Sequence, residues 1–204
     1  MNIDKSTCWY DVKKCPEQMI LGAKGELWPV LKNSDHFPRL KDLIKTTSKD
    51  CTTLLDLGCG AAELSRLFPE YFYVGADLKQ ILENVSMKMN PGKNYIDFDI
   101  YNNETCSFIN EYDIVVMNAL IDVLEHPLFG LKNSQKYVII HRQEFDEEGK
   151  TRIVKNPAYG SLTYHSIINL KEFEELLEEY DFSIVKEVNT LFDNSKSILL
   201  KKGK

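Results

Sequence analysis

Residues 54–64, LLDLGCGAAEL, place Asp56, Gly58 and Gly60 in an acid-x-Gly-x-Gly order between an apolar run and a helical one. Glycines in such a turn allow positive φ and a close approach of the main chain, so the turn holds a ligand through backbone N–H groups. Asp77 follows nineteen residues after Gly58, at the end of a second apolar run. A carboxylate in that position accepts from both hydroxyls of a ribose. The acid alone does not separate NAD from other nucleoside-bearing ligands. A second group of reactive side chains lies in 141–166, HRQEFDEEGKTRIVKNPAYGSLTYHS: His141, Arg142, Tyr159, Tyr164 and His165. Histidine accepts a proton near neutral pH, and arginine holds an anionic group. This stretch is the expected wall for a second substrate, with His141, Arg142, Tyr164 and His165 as catalytic candidates. Either histidine serves equally well by hydrogen-bonding its own loop.

Three nucleotide types compete for the turn. A triphosphate loop needs GxxxxGK followed by Ser or Thr, and no Lys follows these glycines. A dinucleotide fingerprint needs GxGxxG; Glu63 stands where the third glycine would let helix and strand pack closely. The third pattern, acid-x-Gly-x-Gly-x-Gly, matches Asp56, Gly58 and Gly60, with Ala62 as a small stand-in for the last glycine.

The elements that must position these residues alternate. Apolar runs at 53–57, 72–76, 94–98, 113–117 and 137–140 read as strands, and helical stretches separate them. Leu64, Leu67 and Phe68 share a helix face that stops at Pro69, and LKQILENVSMKM ends before Asn90-Pro91-Gly92. NLKEFEELLEEY is a helix with Asn169 as cap, Glu172 three residues later, and Phe173, Leu176, Leu177 and Tyr180 as its stripe. Runs at 182–188 and 197–201 are joined by about eight residues, too few for a parallel crossover. The expected sheet is six parallel strands plus a final antiparallel one, with helices on both faces. FDEEGKTRI suggests a small hairpin turning at Gly149, and Asp35 with Ser34 suggests a cap for a helix carrying Phe37, Leu40, Leu43 and Ile44.

Residues 51 to about 202 resemble a class I, Rossmann-like S-adenosylmethionine-dependent methyltransferase. The resemblance implies an α/β three-layer sandwich with a seven-stranded, mostly parallel sheet whose last strand is antiparallel. It implies two parts: an N-terminal helical arm or lid over 1–50, and an S-adenosylmethionine-binding domain over 51–204. The donor site it implies takes Asp56, Gly58, Cys59 and Gly60 for the methionine end and Asp77 with Leu78 for the ribose. Asp99 would receive the adenine amino group, with Asp97 as its competitor, and the Ile100 N–H would meet the ring. Asn118 and Ala119 would lie against the methionine end, after a fourth strand opened by Asp113. Cys59 also reads as a small buried filler. Glu125-His126 is either catalytic or a helix-ending pair before Pro127. Trp9 and Tyr10 resemble aromatic residues that some family members place over the cofactor; core packing of an arm explains them equally.

The implied activity is methyl transfer from S-adenosylmethionine to a hydroxyl or amine of a small molecule or glycan precursor, leaving S-adenosylhomocysteine. A non-catalytic S-adenosylmethionine-binding regulatory module is the alternative, and an NAD-binding protein a weaker third. The layout of 141–185 is similar to small bacterial methyltransferases of sugar and polysaccharide pathways. Asn156-Pro-Ala-Tyr159 imitates the Asn-Pro-Pro-Tyr of adenine-N6 and glutamine methyltransferases, but it does not follow strand four.

Bulk properties narrow the rest. The 204 residues suit one domain with a full core, and a net charge of −6 with clustered basic residues confined to the tail disfavours nucleic acid. Five scattered cysteines without a CxxC fit reduced thiols in the cytoplasm, and the four histidines have no metal-ligand spacing. Neither a signal peptide nor a membrane span is expected.

Overall fold

The computed structural model describes residues 8–10, 14–27, 35–101, 106–124, 136–190 and 195–203. Glu125 and His126 lie outside them. The described helices are α1 (Lys14–Ala23), α2 (His36–Ile44), α3 (Leu64–Leu67), α4 (Lys79–Ile81), α5 (Met87–Met89) and α6 (Leu170–Glu179). A π-helical stretch, Leu82–Ser86, joins α4 to α5. The described strands are β1 (Thr53–Leu57), β2 (Phe72–Asp77), β3 (Asn94–Asp97), β4 (Ile114–Asn118), β5 (Tyr137–Asp146), β6 (Arg152–Ala158), β7 (Ser161–Asn169), β8 (Phe182–Asn189) and β9 (Ser195–Lys202).

These strands form one sheet, ordered β3-β2-β1-β4-β5 and then forked. The first half of β5 pairs antiparallel with β9, which pairs antiparallel with β8. The second half of β5 pairs parallel with β7, which carries β6 on its far side. Seven of these strands, β1–β5 with β8 and β9, have the expected directions. The pair β6–β7 brings the sheet to nine and corrects the expected loop at 141–166. Its sequence, RIVK and SLTYHSII, is rich in the β-branched and aromatic residues that favour strands. The Gly149 turn does not close a β5–β6 hairpin, because β7 lies between the two strands. The hairpin turns instead at Tyr159 and Gly160, both at positive φ, +51° and +77°, the form that matches the twist of its strands.

Alternation along the strands divides the core by face. Leu55, Leu57, Val115, Met117, Val138, Ile140, Ile198 and Leu200 pack on one side with Phe173 and Leu177 of α6. Leu54, Ile114, Val116, Ile139 and Leu199 pack on the other with Leu40, Leu43 and Ile44 of α2. Helix α2 therefore belongs to the domain core, so the expected division at residue 50 runs through packed residues. Its cap Asp35 makes no side-chain bond to the helix backbone; it accepts from Arg39 Nε at 2.9 Å instead. Helix α1 packs separately, with Cys15 buried against Ile81 and Val85 and with Met19, Ala61 and Leu78 alongside. No helix among the described residues is long and apolar enough to cross a membrane.

Candidate functional site

The sequence 54–64 builds the first half of the site. β1 ends at Leu57, and the chain turns through Gly58 at φ +71° and Gly60 at φ +50°. A Cβ on Gly58 would fall 2.6 Å from Leu120 Cδ1, so a larger residue there would have to displace the Leu120 side chain as well as hold a strained φ. Gly58 N and Cys59 N donate to Ala76 O on β2 at 2.8 and 3.1 Å. Asp77 then accepts Gly60 N at Oδ2 and its own neighbour Leu78 N at Oδ1, both at 2.8 Å. Two bonds leave part of the carboxylate's acceptor capacity for further donors. Burial pushes the Asp77 carboxyl up to about 6, against the two N–H bonds. Polar groups of the following helix hold the rest of the turn. Ser86 Oγ donates to Gly60 O and Asn90 Nδ2 to Ala61 O, each at 2.6 Å.

Several expected donor-site residues take supporting positions. Asp56 is 2% exposed and accepts from the Tyr73 hydroxyl at 2.8 Å beneath the turn. Burial lifts it to about 7. Cys59 is buried; its Sγ lies 2.9 Å from where a Gly75 Cβ would stand, which explains the glycine in β2. Burial raises its thiol well above the usual range, so it behaves as a filler. β3 stops at Asp97, placing Asp99 in the loop beyond, where its Oδ1 accepts Tyr101 N at 3.0 Å. Ile100 turns its side chain into the core. Asp113 lies at the opposite, amino edge of β4. It accepts from Thr52 N, Thr53 N and Thr53 Oγ1 and pairs with Lys136. Against the desolvation, these partners together hold its carboxyl well below the usual range.

The second half forms where β4 ends beside the middle of β5. Asn118 is paired in register with His141, and Ala119, at φ +51°, donates to His141 O at 3.0 Å. A bulge between Ile140 and Gln143 interrupts the β5–β9 register. Within it Arg142 adopts φ +63°. Bulges re-aim side chains, and this one sends His141 and Arg142 to different places. His141 is 1% exposed; its Nδ1 is 2.6 Å from Ser197 Oγ and its Nε2 is 3.1 Å from His36 Nδ1. Burial and the Arg142 charge hold it well below its ordinary range. An imidazole enclosed in this way does not reach an acceptor, so His141 is a packing residue and the expectation that it is catalytic is corrected. Arg142 Nε donates to Asn118 Oδ1 at 3.2 Å; burial lowers its pKa, and the carboxyl groups of Asp122 and Glu63 oppose that shift. On β7, His165 Nε2 lies 3.6 Å from Glu144 Oε2. Tyr164, its chain neighbour, points to the opposite face of the strand and carries Lys155 Nζ 5.4 Å above its ring.

Asp122, Glu144 and Glu63 join this group although nothing in the sequence analysis marks them as site residues. Asp122 feels Arg142, His165 and Glu144. An acid in the otherwise apolar LIDVL just past β4 is the available signal; Glu144 needs the strand alternation beyond Arg142. The arm covers both halves. Met19 Cε lies 3.0 Å from where a Gly60 Cβ would stand. Trp9 meets Tyr159 at 5.0 Å between ring centroids, and its carbonyl accepts from Gln80 Nε2 at 2.8 Å. Among the described residues, no three His, Cys, Asp or Glu side chains group as a metal site.

No protein-family model matches this chain, and no curated protein matches its sequence. Solved structures do match. An amino pentose methyltransferase from Micromonospora echinaspora involved in calicheamicin biosynthesis, in its S-adenosylmethionine complex, superimposes with a TM-score of 0.64. It is 12% identical, and the match covers 89% of this chain and 97% of the other. The fold is that of the Rossmann-like methyltransferases. The 1,6-didemethyltoxoflavin N1-methyltransferase of Burkholderia thailandensis, with its substrate and S-adenosylhomocysteine bound, matches at 0.64 with 11% identity over 100% of this chain and 93% of its own. A methyltransferase from Clostridium acetobutylicum matches at 0.62 with 12% identity, over 90% and 98%.

The residues present fit such a donor. The backbone at Gly58–Gly60 faces the β4 end, Asp77 retains acceptor capacity at the β2 end, and the two are hydrogen-bonded into one unit.

Proposed function

We propose that this protein is a cytoplasmic enzyme that transfers a methyl group from S-adenosylmethionine to a hydroxyl or amine of a small molecule or glycan precursor. The observation that carries the reading is the Gly60–Asp77 hydrogen bond. It joins a glycine turn and a ribose-accepting carboxylate across two strand ends, opposite Asn118 and Ala119. In this reading the turn takes the methionine end, Asp77 and Leu78 the ribose, and Asp99 with the Ile100 N–H the adenine. Helix α1 acts as the lid.

S-adenosylmethionine supplies a methyl already activated on a sulfonium. The protein must hold the acceptor in line and exclude water, the proximity contribution, and provide a base for the departing proton. His165 suits the part of base, being partly exposed and held by Glu144. Arg142, fixed by Asn118, orients the acceptor. Tyr164 lines the outer wall.

Calorimetric titration with S-adenosylmethionine and S-adenosylhomocysteine tests the donor assignment; binding of neither overturns it. Turnover of methyl-labelled donor over a panel of small hydroxyl and amine acceptors tests the enzyme assignment. Tight donor binding with no transfer to any acceptor favours the regulatory module.

A further inference from the structure

Asp122 sits in the 3-10 turn Ile121–Val123, immediately after β4. Its Oδ1 is enclosed and lacks a hydrogen-bond partner among the described residues. A buried carboxylate oxygen without a donor is costly, and native folds rarely leave one without a reason. The turn is pinned: Ser166 Oγ on β7 lies 3.3 Å from both Ile121 O and Asp122 O. Trp9 Nε1, on the arm above, is a second enclosed polar atom without a partner among the described residues. The Trp9 ring meets Tyr159, and Tyr159 and Asp122 both lie close enough to influence Arg142.

Charge says what should arrive. Arg142 is faced by Asp122 and Glu63, and Asp122 is faced by Glu144 and His165 besides Arg142. Three carboxylates thus surround one guanidinium and one imidazole. Among the described residues, these carboxylates outnumber the guanidinium. A hydroxyl would satisfy a hydrogen bond but not offset that excess, whereas an ammonium does both. Burial lifts the Asp122 carboxyl to about 6, against the pull of Arg142 and His165.

We propose that Asp122 Oδ1 is the anchoring point of the methyl acceptor and that the acceptor is a primary or secondary amine. This rests on the methyltransferase reading and narrows it. The amine enters as its ammonium form with one N–H on Asp122. His165, held by Glu144, takes one proton and becomes imidazolium. The freed nitrogen lone pair forms the N–CH3 bond while the S–CH3 bond breaks, its electrons remaining on sulfur. Positive charge passes from the sulfonium to the methylated ammonium, and the imidazolium returns its proton to solvent.

The test uses the full chain complexed with S-adenosylhomocysteine. Cyclohexylamine and 6-amino-6-deoxyglucose are titrated calorimetrically beside their hydroxyl counterparts, cyclohexanol and glucose. At least one amine should bind tenfold or more tightly than its alcohol. Asp122→Asn, nearly isosteric, should erase that preference while S-adenosylhomocysteine affinity stays within twofold and Tm is retained. Absence of binding by either amine, equal binding of amine and alcohol, or a preference that survives in Asp122→Asn overturns the proposal. Failure of S-adenosylhomocysteine to bind the wild type instead removes the methyltransferase reading beneath it.

Discussion

The ends of β1, β2 and β4 and the middles of β5 and β7 make the two halves of the proposed site by different means. In the donor half the turn, Asp77 and Leu78 all lie within 56–78, joined by bonds such as Gly60 N to Asp77, and only Asp99, Ile100, Asn118 and Ala119 come from further along. The positive φ angles of this half fall on Gly58 and Gly60 and also on Ala62 and Ala119. The acceptor half gathers Glu63, Asp122, Arg142, Glu144, Tyr159 and His165 from distant positions. There the positive φ angles fall on Arg142 and Tyr159, each costing an L residue about 1–2 kcal/mol. Two glycines lower that cost in the donor half. Packing must enforce the other, so its scaffold carries functional weight far from the chemistry.

Substitution at Gly58 tests the donor half most severely. In Gly58→Val, a β-branched residue would have to hold φ +71° with its Cβ 2.6 Å from Leu120 Cδ1. Strain and displacement of Leu120 together should lower S-adenosylhomocysteine affinity at least 100-fold, about 2.7 kcal/mol. Calorimetry that shows retained affinity would mean that the turn does not seat the donor.

The scaffold of the acceptor half has its own probe in the His36–His141–Ser197 chain, which braces the β5 bulge from behind. Burial holds the His36 imidazole down to about 4. The unfolded chain binds that proton near pH 6.5. Between pH 7 and 5 the unfolded state therefore takes up protons that the folded state refuses, and stability falls as pH drops. His36 alone contributes a loss of about 2 kcal/mol over that interval. Asp56, raised to about 7, and Asp77 and Asp122, each raised to about 6, act with the opposite sign, binding protons earlier when folded. Those three carboxylates are common to the wild type and His36→Gln, so their effect cancels in the comparison. The stability advantage of wild type over this variant should therefore shrink as pH falls from 7 to 5, read from urea unfolding at each pH. A difference independent of pH would show that the pair is not held neutral.

Asp77→Ala returns to the donor half at smaller scale. It removes a ribose acceptor and releases Gly60 N and Leu78 N together. S-adenosylhomocysteine affinity should fall about tenfold, or 1.4 kcal/mol, with Asp77→Asn intermediate. Unchanged affinity in both would move the ribose contact elsewhere.

The contrast also explains what is legible in the sequence. Strands β1 to β4, the donor turn and the closing β8–β9 hairpin follow from hydrophobic runs, glycine spacing and connection length. Those signals are local, and the structure returns them within a residue or two. His141 is deceptive because nothing in the sequence marks a bulge; the shift between Ile140 and Gln143 emerges only against β9. The polar content of 141–166 hides β6 and β7, since an exposed edge pair needs few buried residues; β6 is exposed along almost its whole length. Asp113 matches a motif position, yet it serves the far edge of the sheet by tying β1 to β4. Asp122 is inconspicuous because its partners come from β5 and β7, about twenty residues away or more.

The mildest test separates scaffold from chemistry within the acceptor half. Asn169 is recognisable as a helix cap, and its Oδ1 accepts Glu172 N at 3.1 Å. The reciprocal bond of a capping box does not form: Glu172 Oε2 accepts Thr151 N at 3.1 Å instead. The cap thus ties α6 to the turn between β5 and β6, while Asn169 Nδ2 reaches Asp146 O at 3.4 Å. Asn169→Ala should cost about 1 kcal/mol of unfolding free energy in urea. Asn169→Asp should recover most of it, because a carboxylate also caps N–H groups. Donor affinity should stay unchanged in both. If Asn169→Ala weakened S-adenosylhomocysteine binding as much as Asp77→Ala, the two halves of the proposed site would be mechanically coupled, and the division drawn between a local donor half and an assembled acceptor half would fail.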